Sequence, residues 1–240
     1  MANKVLRVLV TGAAGRMGGA VCSEIAASSA FSLAGRVDFR PGPGVETPDA
    51  FEYLLASADV VVDFSTPEAA CAFAAACASH RKPFVTGVTG LSSKQQAALR
   101  AAGRKTGIFS SPNMSPAVNL TFALAALAAR RLKDFDIHIH EAHHAGKRDA
   151  PSGTALRYAE RIALARGGAL PPITSTRAGD IVGDHTVLFA GPHERVELTH
   201  RAHSRALFAS GALKAASWLN GRKPGFYDYF DLLELRDMLK

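Results

Sequence analysis

The first half of the chain alternates short, continuously apolar segments with longer segments whose apolar residues recur at helical spacing. Residues 5–10 and 60–64 are apolar at nearly every position, which is typical of strands buried on both faces of a parallel sheet. Strands are predicted at residues 5–10, 32–37, 60–64, 84–86 and 108–109, and helices from about Gly15, at 49–57, after Pro67 and at 92–105. Repeated strand–helix units predict a parallel sheet with helices on both faces.

The pattern changes after Asn113. A helix capped by Ser115-Pro116 is predicted to about Arg131, and residues 135–140 then alternate apolar with polar side chains, as a half-buried strand does. Further strands are predicted at residues 174–177, 186–189 and 196–199, the last two forming a hairpin around Gly191-Pro192. These segments predict a second domain of α+β type, on an open sheet with one face available to another subunit.

The last part of the chain is again helical. Residues 204–220 form the predicted helix, and Gly221 ends it, as glycine commonly does after a helix. The tail that follows is expected to rejoin the first domain. The expected boundaries are therefore 1–114 and 206–240 for the first domain and 115–205 for the second.

A glycine-rich turn follows the first predicted strand. Gly12-Ala-Ala-Gly15-Arg-Met-Gly18 stands between that strand and a helix, which is the context of a dinucleotide-binding turn. The glycines let the backbone approach a pyrophosphate at the helix N-terminus. The spacing is G-x-x-G-x-x-G rather than G-x-G-x-x-G, so an ordinary turn before a helix is the alternative. Asp38, at the end of the second strand, either holds a ribose hydroxyl or is a loop aspartate.

Polar or glycine-rich turns follow four of the predicted strands, at residues 12–18, 65–66, 87–90 and 111–114. Ligands of open parallel sheets bind at the carboxyl ends of the strands, so these turns predict one binding edge. We therefore expect an α/β fold: a Rossmann-type doubly wound parallel sheet with a second α+β domain built on a mixed open sheet.

Residues 141–154, E-A-H-H-A-G-K-R-D-A-P-S-G-T, concentrate titratable and anion-binding groups. An imidazole at His143 can act as a general acid near neutral pH, and Lys147 can neutralise an anion or donate a proton. The N–H groups of Gly153 and Thr154, with the Ser152 and Thr154 hydroxyls, predict a carboxylate or phosphate site at a helix start. A solvated basic loop before a capped helix is the alternative.

Four histidines fall within seven positions, at 138, 140, 143 and 144. Strand parity sends His138 and His140 to one face, whereas His143 and His144 are expected just past the strand. A zinc hydrolase that uses His138, His140 and His143 is an alternative, since an H-x-H pair can bind zinc with a third ligand. No further cysteine or histidine pattern completes such a site, so we expect no metal and a polar face or subunit contact for His138 and His140.

The net charge of +7 favours anionic partners. Lysine and arginine are scattered along the chain, so small anionic ligands fit better than nucleic acid, which usually needs a clustered basic stripe. No apolar run reaches the roughly 18 residues of a membrane span, and we expect no membrane partner. Residues 1–10 lack a signal-peptide core and cleavage pattern, so a cytoplasmic location is expected.

The central stretch resembles the E-A-H-H-x-x-K-x-D-A-P-S-G-T signature of the dihydrodipicolinate reductase family, now called 4-hydroxy-tetrahydrodipicolinate reductases. Residues 12–18 resemble the family's cofactor loop, and residues 87–90 and 111–114 resemble its nicotinamide-side loops. Residues 177–186 and 198–205 resemble its later segments. The similarity covers nearly the whole chain.

The resemblance implies an NAD(P)H-dependent oxidoreductase that reduces 4-hydroxy-tetrahydrodipicolinate to tetrahydrodipicolinate in lysine and diaminopimelate biosynthesis. The first domain would bind NADH or NADPH, and the second would bind the dicarboxylate substrate and build a homotetramer. His143 would be the proton donor or acceptor and Lys147 the second proton donor, while His144, Ser152, Gly153 and Thr154 would bind substrate. The cofactor-binding residues would be Gly12, Ala13, Ala14, Gly15, Arg16, Met17, Asp38, Gly87, Val88, Thr89, Ser111, Pro112, Asn113 and Met114. The alternative is a non-catalytic dinucleotide sensor. Such a protein would be expected to lose the residues of the His143–Thr154 cluster, which are all present here.

Two departures from the family pattern concern the cofactor. The segment between the second strand and Val60 is shorter than usual, and Phe39 stands where members that use NADPH often have arginine. Asp38 would repel a 2′-phosphate, although Arg16 or Arg40 could compensate. We expect NADH to be used at least as well as NADPH. Because hydride donor and acceptor lie on different domains, closure between the domains is also expected.

Overall fold

The computed structural model describes residues 5–239, so the part of the signal-peptide expectation that concerns residues 1–4 lies outside the described residues. The strands are β1 (Leu6–Thr11), β2 (Phe31–Val37), β3 (Val60–Asp63), β4 (Phe84–Thr86), β5 (Gly107–Ser110), β6 (Asp136–His143), β7 (Ile173–Arg177), β8 (Gly183–Ala190), β9 (Arg195–Ala202) and β10 (Gly225–Tyr227). The helices are α1 (Arg16–Ala26), α2 (Phe51–Ser57), α3 (Pro67–Ser79), α4 (Ser93–Ala102), α5 (Pro116–Arg131), α6 (Gly153–Arg166), α7 (Ala206–Leu219) and α8 (Tyr229–Leu232). Short 3-10 helices lie at Pro48–Ala50 and Asp237–Leu239. No helix within residues 5–239 is both long enough and apolar enough to span a membrane.

The chain packs as two compact units. The first contains a six-stranded sheet in the order β10-β5-β4-β3-β1-β2, and all neighbouring strands are parallel. All four residues of β3 are buried, as expected for a central strand covered on both faces. The predicted Rossmann-type sheet is confirmed, and the tail rejoins it because β10 pairs with β5.

Hydroxyl side chains cap α3 and α4 of this unit where the sequence predicts helix starts. Thr66 Oγ1 accepts a hydrogen bond from the Ala69 N–H at 3.3 Å, and Pro67 occupies the first helical turn. Ser92 and Gln95 form a reciprocal capping box at the start of α4. Each cap satisfies N–H groups that have no partner within the helix, which fixes where the helix begins.

The second unit is built on a mixed four-stranded sheet in the order β7-β6-β8-β9. β6 pairs in parallel with β7 and antiparallel with β8, and β8 and β9 form the predicted hairpin. Residues of β8 alternate between buried and half-buried, because α5 and α6 cover one face. The other face carries His138 and His140, whose ring nitrogens lie 3.0 Å and 3.1 Å from Thr174 Oγ1.

Two local differences from the sequence expectations stand out. β6 continues through His143, so this residue lies on the strand and not past it, because β8 and β7 pair with β6 up to its last residues. Residues Leu233 onward group with the second unit, whereas the expected boundaries placed 206–240 in the first. The Arg130 guanidinium on α5 donates to the Met238 carbonyl at 3.4 Å, which ties this end of the chain to α5.

Candidate active site

The glycine turn of the first unit packs so closely that Gly12 and Gly18 have no room for a side chain. Gly12 has φ +71°, in the left-handed region that favours glycine, and a Cβ there would lie 2.4 Å from the Phe64 carbonyl oxygen. A Cβ on Gly18 would lie 2.1 Å from the Gly12 carbonyl oxygen. α1 begins at Arg16 with Gly15 at its N-cap, so the first N–H groups of the helix point toward the turn. This geometry fits a pyrophosphate.

The Asp38 carboxylate joins the end of β2 to the glycine turn. It accepts hydrogen bonds from the Ala14 N–H at 3.1 Å and from the Arg40 N–H at 2.9 Å. The Arg40 Nε lies 3.6 Å from the same carboxylate, and the Phe39 side chain is exposed. The structure therefore brings Asp38 to the turn, where the sequence predicts the ribose end of a dinucleotide.

Asp63 is a fully buried carboxylate at the end of β3 that the sequence analysis did not single out. It accepts hydrogen bonds from Thr11 Oγ1 at 2.7 Å, from Thr86 Oγ1 at 2.8 Å and from the Ser65 N–H at 3.1 Å. Burial raises the pKa of Asp63 despite these hydrogen bonds and a further one from the Ser65 side chain. Since Thr11, Ser65 and Thr86 begin or adjoin the turns after β1, β3 and β4, this carboxylate ties the three turns together.

The turns after β4 and β5 are held at the same edge of the sheet. A Cβ on Gly87 would lie 2.2 Å from the Phe64 ring, so a larger residue there would displace that ring. The Ser111 N–H donates to the Thr86 carbonyl at 3.2 Å, and the Ser111 hydroxyl donates to the Asn113 carbonyl at 2.7 Å. The segments predicted to bind cofactor thus lie at the carboxyl edge of one sheet.

In the second unit, His143 and Glu141 lie on the buried face of β6, because residues two apart on a strand share a face. The Glu141 side chain is fully buried, and His143 is 9% exposed. The His143 Nδ1 contacts the Glu141 carboxylate in a short hydrogen bond. Burial lowers the pKa of His143, and the adjacent Glu141 opposes this by raising it.

Arg177 clamps both oxygens of Glu141. Its Nη1 donates to Oε2 at 2.9 Å and its Nη2 donates to Oε1 at 2.7 Å. Burial alone would raise the pKa of Glu141, but hydrogen bonds from Arg177, Ser175 and His143 lower it to about 2. Glu141 is therefore ionised at neutral pH, and its charge is balanced by the guanidinium.

The start of α6 is built onto the same carboxylate. The Ser152 N–H donates to Glu141 Oε1 at 3.3 Å, and Ser152 Oγ caps the helix by accepting from the Ala155 N–H at 3.2 Å. Ser152 is buried, so its hydroxyl serves the helix start, whereas Gly153 is exposed at the first helical position. The first N–H groups of a helix have no carbonyl partner within that helix, so the exposed helix start at Gly153 suits an anion.

Lys147 is held beside this region by Asp149. The ammonium lies 2.7 Å and 2.8 Å from the two Asp149 carboxylate oxygens, and Lys147 lowers the pKa of Asp149. The Asp149 carbonyl in turn accepts a hydrogen bond from Arg177 Nη2 at 2.6 Å. Glu141 and Arg177 therefore connect His143, the start of α6 and the loop that carries Lys147.

His144 lines a cavity of about 450 Å³ within the second unit. Gly146, Asp180, Val182 and Arg205 line the same cavity. An imidazole and a guanidinium at its wall provide donors for an anionic group. His144 is a predicted substrate-binding residue, whereas no role is predicted for Arg205 from the sequence.

His185 is a second buried histidine of the site, 5% exposed and absent from the sequence prediction. Its ring centre lies 5.2 Å from that of His143, and its Nε2 lies 3.1 Å from Ser152 Oγ. Burial lowers the pKa of His185 to about 3, so this imidazole is neutral at physiological pH. Register explains why it was missed: His185 pairs with Glu141 across β6 and β8, and the sequence alone does not specify that pairing.

The zinc alternative lacks its ligand set. His143 lies on the buried face of β6, whereas His138 and His140 share Thr174 on the opposite face. Within residues 5–239, the structure brings together no group of three histidine, cysteine or acidic side chains that could hold a metal ion. The three histidines of β6 therefore do not form one site.

A Rossmann-type unit with a glycine turn, together with a unit that presents a histidine and a lysine at a helix start, defines a dinucleotide-dependent oxidoreductase. The chain belongs to the dihydrodipicolinate reductase family. The family descriptions "Dihydrodipicolinate reductase, N-terminus" and "Dihydrodipicolinate reductase, C-terminus" match residues 6–114 and 117–233.

Individual relatives agree with this family membership. The chain is 43% identical to the 4-hydroxy-tetrahydrodipicolinate reductase of Laribacter hongkongensis and 43% identical to that of Thiobacillus denitrificans, in each case over 96% of this chain and 99% of the relative. A dipicolinate-bound dihydrodipicolinate reductase from Paenisporosarcina sp. TG-14 shares the fold, with a TM-score of 0.81 at 24% identity over 95% of this chain and 99% of that one.

Proposed function

We propose that the protein reduces 4-hydroxy-tetrahydrodipicolinate to tetrahydrodipicolinate with NADH or NADPH, a step of lysine and diaminopimelate biosynthesis. The net reaction consumes the reduced nicotinamide and one proton, and it releases the oxidised nicotinamide and one water. The two relatives at 43% identity are named 4-hydroxy-tetrahydrodipicolinate reductase, and the match covers nearly their full length. The observation that carries the proposal is the cluster in which His143, Lys147 and the start of α6 are joined through Glu141 and Arg177.

The first unit holds the dinucleotide in this proposal. Bound reduced nicotinamide supplies the hydride. The turn packs closely at Gly12 and Gly18, and α1 begins directly after it. The first N–H groups of α1 can therefore bind a pyrophosphate. Asp38 offers its carboxylate to a ribose hydroxyl, and the turns at residues 87–89 and 111–114 complete the pocket. The expected boundaries were 1–114 and 206–240 for this part and 115–205 for the substrate part, and we assign the residues from Leu233 onward to the substrate part because they group with the second unit.

The second unit holds the dicarboxylate. One carboxylate of the substrate accepts hydrogen bonds from the Gly153 and Thr154 N–H groups at the start of α6, and Lys147 and His144 add positive charge or donors. Such preorganised donors stabilise negative charge that grows on the substrate during hydride transfer. Ser152 contributes by fixing the helix start, since its hydroxyl already caps α6.

His143 carries the proton in this mechanism. Its Nδ1 is occupied by Glu141, which leaves Nε2 to exchange a proton with the substrate. Lys147 is the second proton donor. Its ammonium leaves the ion pair with Asp149 to reach the substrate. General acids of this kind contribute about a hundredfold or more to the rate.

NADH is used at least as well as NADPH in this proposal. A 2′-phosphate would meet the Asp38 carboxylate, and the neighbouring Phe39 provides no positive charge. Arg40 lies 3.6 Å from Asp38 but its side chain is 74% exposed, where its attraction for a phosphate is screened by solvent. Steady-state kcat/KM values for the two cofactors measure this preference.

We propose a homotetramer in which the second sheet provides the subunit contact. α5 and α6 cover one face of this sheet, and the face with His138, His140, Thr186 and Thr199 carries half-buried and exposed side chains. A second copy of the chain is the occupant that the family resemblance indicates. Sedimentation velocity measures the assembly, and a monomer at micromolar concentration contradicts it.

The test of the proposed function is NADH oxidation at 340 nm, coupled to a synthase that produces 4-hydroxy-tetrahydrodipicolinate. We expect oxidation only when the synthase product is present, with inhibition by pyridine-2,6-dicarboxylate. His193→Ala serves as a control, because this histidine is exposed in the turn between β8 and β9. Absence of substrate-dependent oxidation with either cofactor contradicts the proposal. The non-catalytic dinucleotide sensor would then be the favoured function.

A further inference from the structure

Glu141 has a role in the site that neither the family resemblance nor the sequence pattern assigns. We infer that Glu141 is a positioning residue that sets the tautomer and the proton affinity of His143, with Arg177 as its anchor. The inference rests on the proposed function for the identity of the reaction. The geometry behind it lies wholly within the second unit and does not depend on the substrate.

The contact with Glu141 determines which nitrogen of His143 carries hydrogen. An ionised carboxylate can only accept hydrogen bonds, and Glu141 Oε2 contacts Nδ1. The neutral imidazole is therefore held with hydrogen on Nδ1, so Nε2 presents a lone pair or, when protonated, an acidic N–H. On that side, a Cβ at Gly183 would lie 3.0 Å from Nε2, so glycine keeps the approach to this nitrogen open.

Arg177 keeps the carboxylate ionised and immobile. Both of its terminal nitrogens donate to Glu141, at 2.7 Å and 2.9 Å, and its Nη2 also donates to the Asp149 carbonyl. Glu141 is fully buried, and its pKa is about 2. A bidentate pair fixes direction as well as charge, so Oε2 stays aimed at His143 whether or not the imidazole is protonated.

The charge of Glu141 opposes the other groups that face His143. Burial, Lys147 from the loop after β6 and Arg177 from β7 all lower the pKa of His143, whereas Glu141 raises it. The neutral ring of His185, from β8, adds no charge at physiological pH. Without Glu141, His143 would lose the one neighbour among these that favours its protonated form.

The test compares wild type with Glu141→Gln and with the matched control Glu160→Gln, which removes a carboxylate from the exposed face of α6. The imidazole of His143 is followed by nitrogen NMR, and turnover is measured as a function of pH. In Glu141→Gln we expect the pKa of His143 to fall by about one unit or more. Turnover at neutral pH should fall about tenfold or more and recover in part as the pH is lowered.

Other outcomes separate this role from a structural one. Glu141→Asp keeps the charge, so it should restore part of the lost turnover and most of the pKa. A Glu141→Gln protein that is merely less stable, with an unchanged His143 pKa and pH profile, overturns the inference. If that variant does not fold, the wild-type spectrum decides, since a neutral His143 with hydrogen mainly on Nε2 also overturns it.

Failure of the proposed function is recognised independently. A wild-type protein that does not oxidise NADH with the synthase product contradicts the reaction, while the NMR comparison still shows whether Glu141 sets the tautomer and pKa of His143. Turnover that is normal in wild type and in Glu141→Gln at every pH contradicts the positioning role alone.

Discussion

A fully buried carboxylate lies at the functional edge of each unit, and the two differ in what surrounds them. Asp63 accepts hydrogen bonds from two threonine hydroxyls and from the backbone N–H and side chain of Ser65, and burial raises its pKa. Glu141 is bonded by the Arg177 guanidinium and by His143, and its pKa is lowered to about 2.

The difference indicates that Asp63 has a structural role, whereas Glu141 places a negative charge inside the second unit. Neutral donors at Asp63 suffice to hold three turns in place, and they do not require the group to be ionised. The guanidinium at Glu141 keeps a negative charge in a buried position, where an unpaired charge would be costly. A negative charge held in this way raises the proton affinity of a neighbouring imidazole, and His143 is that neighbour.

The largest expected effect is on turnover, from changes beside Glu141. His143→Ala and Lys147→Ala should each lower kcat about a hundredfold or more, because each removes a proposed proton donor. NADH affinity, measured by fluorescence titration, should stay within about twofold, since an alanine there leaves the first unit unchanged. Lys94→Ala, on the exposed side of α4, is the matched control. Normal turnover in both site variants would contradict the assignment.

A second effect contrasts the stability of the two carboxylate sites. Glu141→Gln should lower the free energy of unfolding of the second unit by about 3 kcal/mol or more, because Arg177 loses its buried partner. Asp63→Asn should cost the first unit only about 1–2 kcal/mol, since hydroxyls can rotate to suit an amide. Urea unfolding at pH 7, followed by probes in each unit, measures both. Equal losses would mean that the charged partners of Glu141 add nothing.

The pH dependence of these losses should have opposite signs. The pKa of Glu141 is lowered in the folded protein, so its contribution is complete above its ordinary value of 4.5 and is lost as pH falls toward 2. The pKa of Asp63 is raised, so its contribution is complete below its ordinary value of 3.8 and is lost as pH rises. Unfolding measured from pH 3 to pH 7 for each variant against wild type compares the two slopes. Slopes of the same sign would refute the contrast.

The smallest effect concerns the edge of the first unit. Phe39→Arg should raise kcat/KM with NADPH severalfold relative to NADH, because a guanidinium beside Asp38 attracts the 2′-phosphate, an attraction of roughly 1 kcal/mol at an exposed site. Phe39→Leu is the control, as it changes the side chain without adding charge. A wild-type protein that strongly prefers NADPH would contradict the interpretation of Asp38 and Phe39.

Much of the fold follows from local pattern. Residues 84–86 form the predicted strand with the same bounds, and α5 begins after Ser115 and ends at Arg131 as predicted. Proline at helix starts and serine or threonine at caps are local signals, so no knowledge of distant contacts is needed. The buried strands of the first unit are equally local, because each is apolar by itself.

The partners within the site depend on strand register, which local pattern does not specify. Arg177 lies opposite His143 because β7 pairs with β6 in one register, and His185 lies opposite Glu141 because β8 does. Local pattern therefore predicts roles for His143 and Lys147 but none for Glu141, Arg177 or His185. Asp63 was missed for a related reason, since its hydroxyl donors come from two neighbouring strands.

The proposed function requires that the dicarboxylate binds beside the proton carrier His143, and proton uptake on binding tests this most directly. Pyridine-2,6-dicarboxylate binding is measured by calorimetry at pH 7 in buffers of different ionisation enthalpy, with NADH present. Because burial lowers the pKa of His143 and a bound dianion favours its protonated form, we predict proton uptake in wild type and none in His143→Gln. Binding without proton uptake in wild type, or with equal uptake in the variant, would contradict the account.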